Sequence, residues 1–92
     1  MIRSFRCADT EALARGERVP RFAGIEAVAR RKLRQLEIAG RLSDLRIPPG
    51  NHLEPLRGRR AGQYSIRVND QWRVCFRWTE AGVEGVEIVD YH

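Results

Sequence analysis

The chain has 92 residues, of which 42% are hydrophobic and 32% charged. Those numbers exclude a disordered polymer and a large multidomain enzyme, and leave one modest core in a single domain spanning 1–92. A formal charge of +5 and a pI near 10.2 favour a polyanionic partner. Of the 17 basic residues only Lys32 is a lysine. Arginine's planar fork suits bidentate phosphate contacts, but GC-rich coding also enriches arginine, so the count alone leaves binding open. Met1-Ile2-Arg3-Ser4-Phe5 leads into charge and not into an apolar run, and no stretch has the length of a membrane span. The expected setting is a reducing cytoplasm, without membrane attachment.

In chain order, Met1 to Arg6 is a short strand candidate with Ile2 and Phe5 as its apolar members. Ala8-Asp9-Thr10-Glu11 begins a helix that Asp9 or Thr10 can cap, and Gly16 suits its stop. Pro20 opens a second helix, in which Phe22, Ile25, Ala29, Leu33 and Leu36 recur at three- and four-residue spacing, with Val28 beside them, to an end near Gly40. Arg30, Arg31 and Arg34 are expected to point away from that stripe, with Glu26 and Arg30 as an i,i+4 pair. Ser43-Asp44-Leu45 allows one more turn before Pro48-Pro49-Gly50 forces an irregular crossing.

A strand is expected over roughly His52 to Leu56, then a basic loop from Arg57 to Gly62. A hairpin follows. Tyr64, Ile66 and Val68 alternate with Ser65 and Arg67, and Trp72, Val74, Phe76 and Trp78 alternate with Arg73, Cys75 and Arg77. Period two places the apolar set on one face and the arginines on the other. Asn69-Asp70-Gln71 supplies the turn. Glu80-Ala81-Gly82 turns into a last strand from Val83 to Tyr91. The fold class is α+β: a small antiparallel sheet with two N-terminal helices packed on one face, the other left free and carrying Arg67, Arg73 and Arg77.

Two cysteines and two histidines, at positions 7, 75, 52 and 92, make neither a disulfide framework nor a metal-ligand cluster, so no metal or cofactor is expected. Cys75, between Val74 and Phe76, reads as a small buried or half-buried strand residue. No phosphate-cradling glycine motif and no nucleophilic triad stands out. What remains is metal-free acid–base chemistry on a phosphodiester, which needs a base for the ribose 2′-hydroxyl, a cation for the phosphate and an acid for the leaving 5′-oxygen. Glu54, Arg73 and His92 could fill these roles; an imidazole titrating near 6.5 suits either proton task.

The stretches MIRSF, NHLEPLRGRRAGQYSIRVNDQWRVCFRW and VEIVDYH, in that order and over nearly the full length, resemble the RelE-like toxins of bacterial type II toxin–antitoxin systems, most closely their HigB branch (the plasmid maintenance system killer family). The resemblance implies a microbial-ribonuclease-like fold, binding in the ribosomal A site among rRNA, and cleavage of mRNA during translation to leave a 5′-hydroxyl and a cyclic or 3′ phosphate. It implies neutralisation by a HigA-type helix-turn-helix antitoxin, with operator DNA reached only through that partner. Residue by residue, His92 matches the family's C-terminal Tyr-His ending and looks like the general acid, with Tyr91 orienting base or ribose. Arg73 matches the arginine that stabilises the scissile phosphate. Arg57 stands where lysine is common, which keeps the charge but weakens any proton-transfer role. Glu54 stands where several HigB relatives have histidine and YoeB-like relatives a glutamate base, which favours a Glu54–Arg73–His92 mechanism. A chain ending at His92 would set a carboxylate beside that imidazole and favour its protonated form.

Plainer readings stand beside these. Asp90 is either catalytic or a salt-bridge partner, and His52 reads as a loop or strand-start residue. Trp72, Phe76, Trp78 and Tyr64 read as core. Arg59 and Arg60 in the loop are expected to touch nucleic-acid backbone without specifying sequence, and Arg67 and Arg77 either contact rRNA or are solvated. The alternative function is a non-catalytic RNA- or antitoxin-binding module, or corepressor, on the same fold.

Overall fold

The structure is a computed structural model and describes residues 1–90. Helix α1 spans Ala8–Ala14 and stops at Gly16, whose φ of +93° a side chain would resist. Its cap is neither Asp9 nor Thr10. The extended residue before it is Cys7, and no side chain caps the first turn. Both expected caps have partners elsewhere. Asp9 meets Arg21 at 3.4 Å, and the buried Thr10 hydroxyl accepts the backbone N–H of Ile88 at 3.0 Å, tying the helix to the sheet.

The second helical stretch divides. Pro20–Ile25 is a 3-10 turn, and α2 proper spans Glu26–Ile38. A 3-10 turn stacks residues three apart, which puts Phe22 and Ile25 on one buried face, and Gly24 weakens any continuous α-helix through the join. Ala29, Leu33 and Leu36 continue the stripe and are buried, as their spacing predicts. Arg30 does not point away. It bonds Glu26 at 2.9 Å as expected, but also donates to the carbonyls of Leu13 at 3.2 Å and Glu17 at 3.0 Å, fastening α2 to the end of α1.

The sheet is an antiparallel meander in the order β1 (Glu54–Pro55), β2 (Tyr64–Arg67), β3 (Trp72–Thr79), β4 (Gly82–Asp90). The expected strand at 52–56 shrinks to two residues, because His52 is left-handed at φ +46° and Pro55 has no N–H to donate. The β2–β3 hairpin is as the alternation predicts. Asn69 Oδ1 accepts the N–H groups of Gln71 and Trp72, both at 2.8 Å, and closes the turn. Ile66 opposes Val74, which opposes Ile88, and all three are buried beneath the helices.

Strand β4 breaks strict alternation. Cys75 pairs with Glu87 and Arg77 with Glu84, so Gly85 and Val86 together face Phe76. This bulge needs left-handed backbone, which Gly85 supplies at φ +62°. Its effect is to turn Val83, Val86 and Ile88 all into the core. The N-terminal segment lies along the outer edge of β4, with parallel bridges from Ile2 to Val83 and from Phe5 to Val86. Burying a side chain the size of Phe22 or Phe76, both fully enclosed, contributes about 1.5–3 kcal/mol each. Among the described residues, no helix is long and apolar enough to cross a membrane.

Candidate functional site

The sheet face turned away from the helices carries two rows of side chains. Glu54, Ser65, Cys75 and Glu87 lie opposite one another across the four strands, and beside them run Arg67, Arg73 and Val89. This face is less open than the alternation implies. Ser65 and Cys75 are fully buried and the Arg73 side chain is only 12% exposed. The loop from Arg57 to Gln63 accounts for part of this cover. Leu56 N–H bonds the carbonyl of Gln63 at 2.8 Å to close the loop, Gly58 and Gly62 bend it at φ +63° and +91°, and Arg60 reaches Glu87 at 2.8 Å. Burial pushes the Cys75 thiol above its ordinary range; Arg60 and Arg73 oppose that rise and Glu87 adds to it.

Arg73 is the centre of the arrangement. Its Nε donates to Ser65 Oγ at 2.8 Å, and Nη2 donates to the main-chain carbonyl of His52 at 2.7 Å. Nη2 also lies 3.4 Å from Glu54 Oε1, on a carboxylate that is half exposed. A fixed guanidinium beside an accessible carboxylate can hold a phosphate and accept a proton close to it. His52 enters through its carbonyl, on left-handed backbone that histidine, like asparagine and aspartate, adopts more readily than most side chains.

The remaining candidates scatter around this pair. Arg57 and Arg59 are exposed on the loop, and Arg60 is partly sequestered by Glu87 and Gln63. Arg67 lies directly opposite Arg73 and is paired with Asp70. Exposed Arg77 sits near Gly62, where an added methyl group would come within 3.1 Å of its guanidinium. Asp90 pairs in register with Trp72, whose ring meets Phe22 edge-on at 5.5 Å, so it belongs to the helical side; there it accepts from Gln71 at 3.0 Å. Tyr91 and His92 lie outside the described residues. Trp72, Trp78 and Tyr64 are half-buried against the core and Phe76 is fully enclosed, as expected.

Two polar residues have roles that the sequence does not reveal. Ser65 looks like a spacer between apolar residues, yet it holds Arg73. Buried Asn51 donates to Gln35 Oε1 at 2.8 Å and to the carbonyl of Leu45 at 3.1 Å, and accepts from Lys32 at 2.5 Å. Desolvation, followed by Arg31 and Arg67, lowers the Lys32 pKa. Asn51 thereby pins the residue before His52 to α2. A groove of about 550 Å³ between Ile2, Phe5, Leu33 and Ile38 shares no lining residue with the Arg73 site. Among the described residues no three His, Cys, Asp or Glu side chains converge as metal ligands.

Comparison with known proteins bears on the family and the fold. A family model for the RelE-like toxin of the type II toxin–antitoxin system HigB matches residues 16–92. Toxin HigB-1 of Vibrio cholerae serotype O1 is 48% identical over 69 residues, covering 75% of this chain and 68% of that protein. An uncharacterized protein of Haemophilus influenzae is 43% identical over 51 residues, 55% of this chain and 50% of its own length. The crystal structure of YafQ from E. coli strain BL21(DE3) superposes with a TM-score of 0.65 at 16% identity, over 98% of this chain and 91% of that one, a likeness of fold. With its helix-covered antiparallel sheet and its match over most of the length, the chain belongs to the RelE-like toxins of type II toxin–antitoxin systems, in the HigB branch.

Proposed function

We propose that this toxin is a ribosome-dependent endoribonuclease that cuts mRNA by acid–base chemistry and so inhibits translation in the cytoplasm. Glu54 takes the proton from the ribose 2′-hydroxyl, Arg73 holds the charge that builds on the phosphate, and His92 protonates the leaving 5′-oxygen. Tyr91 orients the ribose or base, and Arg57 adds positive charge at the mouth of the site. Asp90, bonded to Gln71, steadies the strand that leads into these two residues. Exposed Arg59 and Arg77, with Arg60 and Arg67 as their acid partners yield, contact RNA backbone in the ribosomal A site. A HigA-type helix-turn-helix antitoxin neutralises the toxin and carries the pair to operator DNA.

The observation that carries this reading is the Arg73–Glu54 pair at 3.4 Å. In a toxin of this family, a guanidinium pinned by two hydrogen bonds beside a half-exposed carboxylate suits a reaction that places anionic phosphate next to a base. An arriving phosphate competes with Glu54 for Arg73, frees the carboxylate, and presents the 2′-hydroxyl to it. The chemistry of the cut ends tests the proposal. Fragments cut on translating ribosomes should accept label from polynucleotide kinase without prior phosphatase treatment, because their 5′ ends are hydroxyls. Ends carrying 5′-phosphate would exclude attack by the 2′-oxygen.

A further inference from the structure

We propose that Ser65 is a positioning residue for Arg73, a role that rests on the proposed nuclease reading. Ser65 is fully buried at the middle of β2, between Glu54 on one neighbouring strand and Cys75 on the other. A buried hydroxyl needs a partner, and its partner is Arg73 Nε–H at 2.8 Å. The His52 carbonyl takes a second donor of the same guanidinium at 2.7 Å. Two anchors on different nitrogens fix both the position and the plane of a rigid ion. That plane decides whether the donors meet a phosphate in the fork geometry that makes arginine effective.

Glu54 also reaches Arg73 at 3.4 Å, but the proposed substrate competes for that carboxylate. Ser65 is neutral and buried, so it keeps its hold when phosphate arrives. The hydroxyl therefore acts on the reacting state through Arg73, without touching RNA.

Two measurements test this, one of them independent of catalysis. The first is hydrogen exchange of the Arg73 side-chain Nε–H by NMR in the purified toxin. Ser65→Ala should speed that exchange by about tenfold or more, since a buried hydrogen bond is lost; an unchanged rate would overturn the proposal. The second is single-turnover cleavage of ribosome-bound mRNA by wild type, Ser65→Ala, Ser65→Thr, Arg73→Ala and the Ser65→Ala/Arg73→Ala double variant. Ser65→Ala should lose roughly 10- to 100-fold in rate, the scale on which a misplaced catalytic group is felt, with apparent KM unchanged. Ser65→Thr should recover most of that loss. The double variant should be no slower than Arg73→Ala. A Ser65→Ala protein as fast as wild type, or a double variant clearly slower than Arg73→Ala, sinks the positioning role. If Arg73→Ala cuts at the wild-type rate, Arg73 lies outside the chemistry and the positioning role falls while the nuclease reading stands. If wild type cuts nothing, the nuclease reading fails and the positioning role falls with it, whatever the Nε–H exchange shows.

Discussion

Replacing Asn51 by leucine tests how the site is held to the helices. The two side chains are similar in size, so the change removes hydrogen bonds without opening a large hole. Asn51 is fully buried, and its amide donates at 2.8 Å to Gln35 and 3.1 Å to the Leu45 carbonyl while its oxygen takes Lys32 at 2.5 Å. The Leu45 carbonyl contact is buried, and stranding it costs about 1–3 kcal/mol. Gln35 and Lys32 are only half-buried and can turn to water, so their lost bonds are worth about 0.5–1.5 kcal/mol together. The sum, roughly 1.5–4.5 kcal/mol, is a large share of the roughly 5–14 kcal/mol expected for a domain of this length. Urea unfolding followed by Trp72 and Trp78 fluorescence reads it out. With a slope near the low end of the usual range, about 1 kcal/mol per molar, the midpoint should fall by about 1.5 M or more. The next residue is His52, whose carbonyl anchors Arg73, so cleavage should fall as well, at temperatures where the variant is still folded. A midpoint within 0.3 M of wild type, on the scale set by that slope, would refute the reasoning.

Three further outcomes follow from particular contacts. Gly82→Ala should cost more stability than Gly85→Ala. A methyl group at Gly82 would come 2.5 Å from the Met1 carbonyl, whereas at Gly85 it meets nothing and only the left-handed backbone resists, for about 1–2 kcal/mol; the opposite order in urea unfolding would contradict the bulge geometry. The two thiols should react unequally with iodoacetamide at pH 8. Burial works to raise the Cys7 pKa, but hydrogen bonds from Thr10, Asp9 and Arg21 hold it below the ordinary value, while Cys75 is buried with its pKa raised. Mass spectrometry should find Cys7 modified first and Cys75 only after denaturation. Glu87→Gln should loosen the loop it holds through Arg60, and Cys75 should then react roughly tenfold faster, the opening expected from losing about 1.5 kcal/mol of charged hydrogen bonding. An unchanged Cys75 rate would mean that the loop is closed by something else.

Much of the fold was readable because it depends on local pattern. The alternation from Tyr64 to Trp78 and the Asn69 turn fixed the hairpin and its faces, and the stripe from Phe22 to Leu36 fixed the helix that covers it. Some misses are local, such as the left-handed His52 that shortens the first strand; others depend on partners far along the chain. Thr10 looks like a cap until its hydroxyl meets Ile88 N–H, 78 residues away. Arg30 looks solvated until α1 and the loop after it bring the Leu13 and Glu17 carbonyls to it. The bulge at Gly85 left a trace in the sequence, since Val83 and Val86 are three apart, but a period-two strand does not say where it slips. The site divided along the same line. Glu54 and Arg73 were found by their chemistry and the structure places them together. The groups that hold Arg73, the Ser65 hydroxyl and the His52 carbonyl, could not be found that way, because a small strand residue and a main-chain oxygen carry no chemical signature in a sequence.

The central claim is that Arg73, Glu54 and His92 together cut translated mRNA. Its most direct test is 5′-end mapping of mRNA in a translating bacterial extract, with wild type, Arg73→Ala and His92→Ala compared at equal amounts of folded protein. The account predicts cuts inside translated codons for wild type that disappear in both variants and when ribosomes are left out. Cuts that persist in Arg73→Ala would contradict it by removing Arg73 from the chemistry, and a folded wild-type protein that makes none would contradict it and leave the protein as a binding module on the same fold.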